Sequence, residues 1–451
     1  MKPAKRCHTL LALASLTALT TARLNATDLT WNGGTGDWNT TPTNLMWNSG
    51  SMAWINDNDN PYSALFNTGT SGTVTLKEAI TVNNITFDGS PTYTIAGSTL
   101  TINGTITAKK GATITSIIAG TDLIKAGASN LTLNTAANIY TGNTYIQSAT
   151  LIARGTASLP TTTTVIIGSG GNNAALGVRA SQTVAGISNL GTGTATITGD
   201  TSSAATRLTI NSDGAGASAA DSTFTGVIKD ADATHILGIT KAGSRTLTLT
   251  AFNDADSTKR LSYSGTTIVS GGTLKLGSSL HGTASVTVSG SNDLSGNLSG
   301  SAGNINLGVG AVSVGQFGVI APGGDSIAGS FTLAADQNFT STGGTLLFDL
   351  GASFDQIIGS GTGSFSLTDT TLALSGATSV VGTYALFSGF GGSNSVSGLS
   401  ITGLGDGYIG SLGTDGILTV SAIPEPSTVA LAFGATALVA GVVIRRRRAG
   451  S

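Results

Sequence analysis

All four tryptophans of this 451-residue chain lie in one short stretch near its start, at Trp31, Trp38, Trp47 and Trp54. Flat aromatic rings on a polar scaffold can stack on sugar rings, which makes the four a candidate glycan contact. Bulky rings can also close the open end of a stacked β-structure, whose exposed backbone edge would otherwise pair with other chains. The cluster favours an N-terminal cap, and glycan contact is the alternative.

Asn56 to Asn60 form an acidic run, NDNDN, whose side-chain oxygens could bind a hard cation. The run departs from a calcium loop of the EF-hand type, because Pro61 follows it and the loop's Gly and Glu positions are not met. Asp and Asn in loops commonly form turns through their side-chain oxygens. The run therefore indicates a turn, and we predict no metal site.

The segment GSGTGS contains Gly359, Gly361 and Gly363 at the spacing of a phosphate-binding loop. Such a loop acts within a βαβ unit, where a helix begins directly after it. No such unit surrounds these glycines, and the chain contains 64 glycines, so the spacing arises by chance. We predict no cofactor.

Candidate catalytic groups are few and scattered. His235 and His281 lie in no metal or nucleophile motif, and Glu78 is the only glutamate in the body of the chain. Asp254 and Asp256 lie close together, but in a loop. Enzymes that cleave polysaccharides on β-helices need clustered carboxylates or basic groups on one face. We predict no catalytic residue and no enzymatic activity.

The elements that carry these residues must be β-strands. Gly is abundant, only 10% of the residues are charged, and Thr, Val and Ile recur at close intervals. β-Branched residues favour strands and Gly and Asn favour turns, whereas helix signals are nearly absent between residues 27 and 420. The composition predicts an all-β fold with many tight turns.

The net charge of −2 conceals an asymmetry between the ends and the body. Eight of the 21 basic residues lie in the first 26 residues and in the final arginine run, which leaves 13 basic residues against 23 acidic ones. A weakly acidic body gives no electrostatic attraction for phosphate backbones. We predict no nucleic-acid partner.

Two segments of the body are repeats of one another, at residues 123–155 and 239–277. Lys-Ala-Gly at 125–127 matches Lys-Ala-Gly at 241–243, and Leu-Thr-Leu at 131–133 matches 247–249. Tyr140-Thr-Gly with Thr144 matches Tyr263-Ser-Gly with Thr267, and the second copy has seven extra residues in a loop. Apolar residues alternate with polar ones inside each copy, which predicts short strands with one buried face.

These copies resemble the autotransporter-associated β-strand repeat. The resemblance implies an exported protein and an elongated parallel, right-handed β-helix, or solenoid. A single copy cannot bury its own apolar face, so neighbouring coils must stack on a shared core. We expect around 16 to 20 coils.

The first 26 residues resemble a secretory signal peptide, with a basic start, an apolar stretch from Leu10 to Leu19 and small residues after it. Sec export machinery is the partner that this segment implies. The only cysteine, Cys7, precedes the apolar stretch and leaves with the signal peptide. The mature protein is then free of disulfides.

The C-terminal segment 421–451 has three parts in order: Pro424-Glu425-Pro426, an apolar stretch at 428–444, and four arginines. The stretch is just long enough for a transmembrane helix, and the arginines would hold its end in the cytoplasm. The membrane-stop residues are Arg445, Arg446, Arg447 and Arg448. An ordinary membrane anchor would show the same order of an apolar stretch followed by basic residues.

The tripartite tail closely resembles the PEP-CTERM sorting signal of Gram-negative bacteria. That resemblance implies cleavage near Pro424, Glu425 and Pro426 by an exosortase-like membrane transpeptidase. Two prolines keep this approach to the membrane extended and accessible. The mature protein would be exported to the cell envelope, the cell surface or the extracellular matrix, with the helix as a transient or permanent inner-membrane anchor.

The sequence thus predicts five segments: signal peptide 1–26, Trp-rich cap and first coils 27–104, repeat-bearing solenoid 105–345, C-terminal β-region 346–420 and sorting signal 421–451. We predict a structural or adhesive surface protein whose partners include extracellular polysaccharide. The alternative is a glycan-binding or polysaccharide-degrading surface protein on a β-helix.

Overall fold

The computed structural model describes residues 27–423, except residues 136, 214–219, 302, 325–326 and 377–380. Within these ranges the chain forms 43 β-strands and no helix. Many strands show the alternation of β13 (Leu131–Leu133), in which two buried leucines flank a partly exposed threonine. The all-β class predicted from the sequence is confirmed.

Most strands are short, and they follow one another along the chain in a regular order. The first half contains β1 (Asp28–Thr30), β2 (Gly36–Trp38), β3 (Ser63–Phe66), β4 (Gly72–Leu76), β5 (Ile80–Val82), β6 (Ile85–Phe87), β7 (Tyr93–Gly97), β8 (Leu100–Ile102), β9 (Thr105–Ala108), β10 (Ala112–Ile114), β11 (Ile118–Gly120), β12 (Leu123–Ala126), β13, β14 (Thr144–Ile146), β15 (Ala149–Ala153), β16 (Thr164–Ile167), β17 (Ala174–Val178), β18 (Gln182–Val184), β19 (Gly186–Asn189), β20 (Ala195–Gly199) and β21 (Ala205–Asn211). The second half contains β22 (Ser222–Lys229), β23 (Ile236–Ala242), β24 (Thr246–Ala251), β25 (Thr267–Val269), β26 (Gly272–Leu276), β27 (Val286–Val288), β28 (Gly296–Ser299), β29 (Gly303–Asn306), β30 (Val312–Val314), β31 (Gly318–Ala321), β32 (Gly329–Thr332), β33 (Phe339–Thr342), β34 (Thr345–Asp349), β35 (Gln356–Ile358), β36 (Phe365–Thr368), β37 (Thr371–Ser375), β38 (Gly382–Ala385), β39 (Phe387–Ser388), β40 (Ser395–Ser397), β41 (Ser400–Thr402), β42 (Tyr408–Leu412) and β43 (Ile417–Ala422).

Parallel sheets run along the stack and form its faces. The long sheet has 16 strands, in the order β2-β4-β7-β10-β13-β15-β17-β20-β22-β24-β26-β28-β31-β34-β37-β41. An eight-stranded sheet (β1-β3-β6-β9-β12-β14-β16-β19) lies beside its first half, and a nine-stranded sheet (β18-β21-β23-β25-β27-β30-β33-β36-β40) lies beside its second half. Two smaller parallel sheets, β5-β8-β11 and β29-β32-β35-β39, complete the coils.

This order is that of a stack of β-helical coils. Each inner strand of the long sheet pairs in parallel with a strand of the preceding coil and a strand of the following coil. Sixteen strands at a spacing of about 4.8 Å give a stack of about 70 Å. The number of coils lies at the lower end of the expected 16 to 20.

The core is a set of apolar ladders inside the stack. In the second half of the long sheet, one inward position is occupied by an aliphatic residue in six successive coils: Leu247, Leu274, Leu298, Ile320, Leu346 and Leu372. All six side chains are fully buried. Burying each contributes about 1.5–3 kcal/mol, so the stacked coils supply the core that a single repeat lacks.

The core is continuous across the two predicted internal boundaries, which lie between residues 104 and 105 and between residues 345 and 346. The long sheet continues past residues 104 and 105, and β34 itself includes residues 345 and 346. At the far end, β38, β43 and β42 form a three-stranded antiparallel sheet. The five-segment division remains a prediction.

The signal peptide at 1–26 and the tail from Pro424 onward, including the apolar stretch at 428–444 and the four arginines, lie outside the described residues. Among the residues that are described, no helix is long and apolar enough to cross a membrane.

Candidate functional site

The four tryptophans pack against one another at the first coils. Trp38 lies 4.7 Å from Trp54 and 4.9 Å from Trp47, and Trp31 lies 5.1 Å from Trp47, measured between ring centroids. Their exposed fractions are 0–1%. Phe66 joins the cluster from β3. In this arrangement no indole face reaches solvent, and the four rings pack against one another and against Phe66. Glycan contact at these residues remains a prediction.

The acidic run forms turns and anchors the cap. Asp57 accepts hydrogen bonds from the backbone N–H groups of Asp59 and Asn60, at 3.0 and 3.1 Å. The Asn56 side chain accepts from the Trp54 indole at 3.2 Å and from the Thr81 backbone at 2.9 Å. The Asp57 carboxylate therefore closes the turn, and the Asn56 side chain joins the tryptophan segment to Thr81 of the next coil.

The GSGTGS segment is a turn between β35 and β36. Gly361 has φ of +68°, and Thr362 donates its backbone N–H to Asp336 of the preceding coil at 2.7 Å. A Cβ on Gly363 would lie 2.2 Å from the Gln337 carbonyl oxygen. The glycines allow two coils to approach closely, which accounts for them without a bound phosphate.

The two histidines and the neighbouring aspartates are separate pairs. His281 contacts Asp254 at 2.8 Å and His235 contacts Asp232 at 2.7 Å. Asp256 instead pairs with Lys259 at 3.2 Å. The sequence neighbours Asp254 and Asp256 thus have different partners.

The Lys-Ala-Gly motif of the repeat has an internal role. Lys125 lies in the inward ladder between Ile106 and Ile146, and its exposed fraction is 0%. Its Nζ donates to the carbonyl oxygens of Gly127 at 2.9 Å and Ser148 at 2.5 Å. Burial lowers the lysine pKa to about 8, because the low-dielectric interior disfavours the ammonium form.

The second copy repeats this arrangement. Lys241 is 1% exposed and donates to the carbonyl oxygens of Ala242, Gly243 and Gly271, at 2.6, 2.9 and 3.1 Å. Burial lowers its pKa to about 8, with a smaller opposing influence of Asp213. Each lysine therefore joins two turns: the one that follows its own strand, and the corresponding turn one coil later, which precedes β15 for Lys125 and β26 for Lys241.

The Tyr-x-Gly-x-Thr motif forms a second buried link between coils. The Tyr140 hydroxyl and Thr144 Oγ1 share a hydrogen bond of 2.6 Å, and Thr144 Oγ1 bonds Thr163 of the next coil at 2.9 Å. In the second copy, Tyr263, Thr267 and Thr283 form the same chain at 2.7 and 2.9 Å. Burial raises the pKa of both tyrosines.

A buried carboxylate lies near the C-terminal end. Asp355 is fully buried and accepts backbone hydrogen bonds from Gly329 at 2.7 Å and Asp349 at 3.0 Å. Burial, reinforced by the charge of Asp349, raises its pKa to about 6 against the effect of those bonds. Its bonds join β32, β34 and the loop between β34 and β35.

The outer face of the nine-stranded sheet has a regular column of small hydroxyl side chains. The column takes one outward residue from each strand, and the register of the parallel pairing aligns its members. They are Thr183, Thr209, Thr240, Ile268, Thr287, Ser313, Thr340, Ser366 and Ser395. None of these side chains is buried, and Ile268 is the one without a hydroxyl.

We call this column of nine residues the hydroxyl ladder. Some of its neighbouring members also contact one another. Thr340 bonds Ser313 at 3.1 Å and Ser395 bonds Ser366 at 2.8 Å. Arg207 donates to Thr240 at 2.9 Å from the adjacent outward position. The ladder thus presents hydroxyls at the spacing of the coils, about 4.8 Å.

The comparisons with known proteins agree with the repeats. The family model of the passenger-associated-transport-repeat matches residues 123–153 and 239–276. A segment of this chain is also 37% identical, over 171 residues, to the adhesin BmaC autotransporter of Brucella suis biovar 1 (strain 1330). That match covers 33% of this chain and spans only 5% of the relative's length. The predicted repeats are confirmed.

Sequence reasoning found the repeat motifs but not their interior position, and it did not identify the hydroxyl ladder. The signal for the ladder was present in the three-residue strands with a central Thr or Ser, such as Val286–Val288 and Val312–Val314. Only the register between coils places these residues in one column.

Proposed function

We propose that this chain is a cell-surface structural or adhesive β-solenoid without enzymatic activity. The hydroxyl ladder is the observation that carries the proposal, because it offers the same chemical group in eight of nine stacked strands. The polar groups of the repeat motifs are buried and bonded between coils, which assigns them to holding the stack together. The similarity to an adhesin over part of the chain supports the same conclusion.

Extracellular polysaccharide is the partner class that fits such a face. A sugar polymer also presents hydroxyls at regular intervals, and neither surface needs a charge. Each hydroxyl contact exchanges one hydrogen bond with water for another, so a single contact contributes only about 0.5–1.5 kcal/mol. Adhesion would therefore come from many contacts along one polymer chain.

The test uses the full chain and a series of neutral polysaccharides of increasing length, with binding measured at fixed mass concentration. We expect Thr287→Val, which removes one hydroxyl from the middle of the ladder, to weaken binding roughly two- to tenfold. Ile268→Thr completes the ladder and should strengthen binding by a similar factor. Thr248→Val, on the outer face of β24, is the matched control and should leave binding unchanged.

Equal responses of all three variants would contradict adhesion through this face. The stronger binding expected for Ile268→Thr is the more discriminating result, because a threonine column with a purely structural role gives no reason for binding to increase. Valine, isoleucine and threonine are all β-branched and all favour strands, so the three variants test the hydroxyl group with little effect on folding.

We further propose that the chain is exported through a Sec-type signal peptide, coils in the right-handed sense and is processed by an exosortase-like transpeptidase at Pro424, Glu425 and Pro426. The preference for right-handed crossovers supports the handedness. The apolar stretch would anchor the chain in the inner membrane until processing. The C-terminal mass of protein recovered from its native host tests this: loss of the four arginines supports processing, and a chain that ends at Ser451 contradicts it.

A further inference from the structure

The second repeat copy carries an insertion that the first copy lacks. Between Leu249 and Tyr263 it has seven more residues than the first copy has between Leu133 and Tyr140. In stacked repeat proteins, an insertion in one repeat lies in a loop on one face, and that face is often the binding face. The insertion therefore marks its side of the stack as a candidate binding surface.

The inserted loop is held in place by its own contacts. The Asp256 carboxylate accepts hydrogen bonds from the backbone N–H and the hydroxyl of Thr258, at 2.9 and 2.7 Å, and pairs with Lys259 at 3.2 Å. The Asp254 carboxylate contacts His281 of the following coil at 2.8 Å. Because these contacts already fix the loop, a bound ligand would not have to order it.

A cleft of about 330 Å³ lies between this loop and the outer face of earlier coils. The loop contributes Thr258 and Lys259, and the floor comes from β15, β17, β20 and the residues just before β17 and β20. Apart from Asn173 and Lys259, every described residue that lines the cleft is an alanine or a threonine. The volume is at the lower end of the range for small-molecule sites, about 300–1,000 Å³, and suits a single sugar unit.

The floor of the cleft has hydroxyl groups available to a ligand. Thr150, Thr194 and Thr196 are partly exposed, and within the described part of the chain their hydroxyls form no hydrogen bond. Thr258 differs, since its hydroxyl donates to Asp256. Threonine methyl and hydroxyl groups together match a sugar ring, which presents both C–H groups and hydroxyls.

Three cationic side chains lie in the cleft or beside it. Lys259 lines the cleft, and Arg260 follows directly in the chain. Leu261 pairs with Ile228 and both are buried, so Arg260 and Lys229 belong to the outer face of two neighbouring strands. Lys229 is exposed, whereas the Nε of Arg260 is buried and has no hydrogen-bond partner among the described residues.

The acidic groups of this region already have partners. Asp254 and Asp256 are bonded as described above, and Asp230 accepts from the backbone N–H groups of Leu237 at 2.7 Å and Ser264 at 2.9 Å. The groups still available to a ligand are therefore donors: a guanidinium, an exposed ammonium and the floor hydroxyls. A carboxylate is the acceptor that fits best, because the guanidinium fork matches its two oxygens.

We propose that this cleft binds one carboxylate-bearing sugar unit, a uronate residue of an acidic polysaccharide. The carboxylate would lie at the loop end, against Lys259 and Arg260, and the sugar hydroxyls would lie over the threonine floor. The proposal rests on the proposed function only for the class of partner. The hydroxyl ladder belongs to the nine-stranded sheet, whereas the cleft lies on the long sheet.

The test measures the Kd of a galacturonate trisaccharide for the full chain by titration calorimetry. We expect the methyl ester of the same trisaccharide, which carries no charge, to bind about tenfold more weakly or worse. Lys259→Gln and Arg260→Gln should each raise the Kd about tenfold. Lys275→Gln is the matched control, because Lys275 is exposed on the outer face of β26, and it should leave the Kd unchanged.

Two further variants test the geometry of the cleft. Deletion of residues 253–259 gives the second copy the loop length of the first copy and should abolish binding. Ala175→Leu fills the floor without a change of charge and should raise the Kd about tenfold, by analogy with other overpacked sites. Hydrogen exchange at β24 and β26 checks that the stack remains folded in both variants.

Equal Kd values for the acid and its methyl ester would overturn carboxylate recognition. An unchanged Kd in Ala175→Leu or in the loop deletion would place binding elsewhere and overturn the site. A glutamate tripeptide that binds as tightly as the trisaccharide would overturn the assignment to a sugar. Binding of neutral polysaccharide that still responds to Thr287→Val would leave the ladder standing, so failure of the cleft and failure of the proposed function are distinguishable.

Discussion

The buried repeat lysines make stability depend on pH in a defined direction. Each lysine has an ordinary pKa of 10.5 in the unfolded chain and a pKa of about 8 in the folded protein. Between these two values the unfolded chain binds more protons, so the free energy of unfolding rises with pH. The perturbation that removes this dependence is replacement of Lys125 and Lys241 by methionine, which has a similar length and no charge.

The magnitude follows from the same two values. Between pH 7 and pH 9.5, linkage predicts a gain of about 2 kcal/mol for each lysine, or about 4 kcal/mol for the pair. The upper limit of pH 9.5 is chosen because burial raises the pKa of Tyr140 and Tyr263 in the folded protein. Above pH 10 the tyrosines would reduce stability with rising pH and obscure the lysine effect.

The assay is denaturant unfolding of the two single variants and the double variant at pH 7, 8.5 and 9.5. Hydrogen exchange at the coils that carry each lysine is measured in parallel, because a long stack need not unfold in one step. Lys109→Met is the matched control, since Lys109 is exposed and pairs with Asp88 at 2.9 Å. We expect the pH-dependent gain in the wild type and the control, half of it in each single variant, and none in the double variant. An unchanged gain in the double variant would refute the assignment of the effect to these lysines.

Four further predictions concern stability. At pH 7, Lys241→Met should lower hydrogen-exchange protection by about 1–3 kcal/mol more than Lys125→Met does. The reason is that three carbonyl oxygens lose a donor when Lys241 is replaced, and two when Lys125 is replaced. Trp47→Ala should cost about 3–5 kcal/mol of protection in the first coils while leaving the last coils unchanged, as measured by hydrogen exchange. Tyr140→Phe should lower the free energy of local opening by about 0.5–1.5 kcal/mol in the same assay, and no effect would contradict the role of its bond to Thr144. Burial raises the pKa of Asp355 to about 6, so the free energy of unfolding should fall by about 2 kcal/mol between pH 4 and pH 7. Denaturant unfolding of Asp355→Asn should show no such fall. A rise in the free energy of unfolding over that range would contradict the predicted sign.

The sequence was most informative where one coil could be recognised in isolation. Alternation in segments such as Leu131–Leu133 predicted buried and exposed faces, and the two repeat copies predicted stacking, because both signals act over a few residues. The match of the repeats at Lys125 and Lys241 was visible, but lysine is normally exposed, so composition gave no reason to place these side chains in the core. Burial became evident only from register, which sets each lysine between apolar residues of adjacent coils.

Properties that depend on pairing between distant coils could not be predicted from the sequence. The hydroxyl ladder needs the register of nine strands, which only the parallel pairing of successive coils provides. The tryptophan residues show the opposite difficulty. Their sequence allowed both a glycan platform and a cap, and only the structure shows that the four rings pack against one another and are buried.

The two repeat copies explain why the chain retains its register across an irregular sequence. In the first copy, Leu123 pairs with Thr144 and Lys125 with Ile146; in the second, Ile239 pairs with Thr267 and Lys241 with Val269. The seven additional residues of the second copy are accommodated in the loop between β24 and β25, so the paired strands remain in phase. A one-residue slip would expose every inward side chain of a strand, including the lysine that bonds the turn carbonyls. The buried Lys and Tyr-Thr links thus specify register at two points in each copy, while the loops between them remain free to change in length.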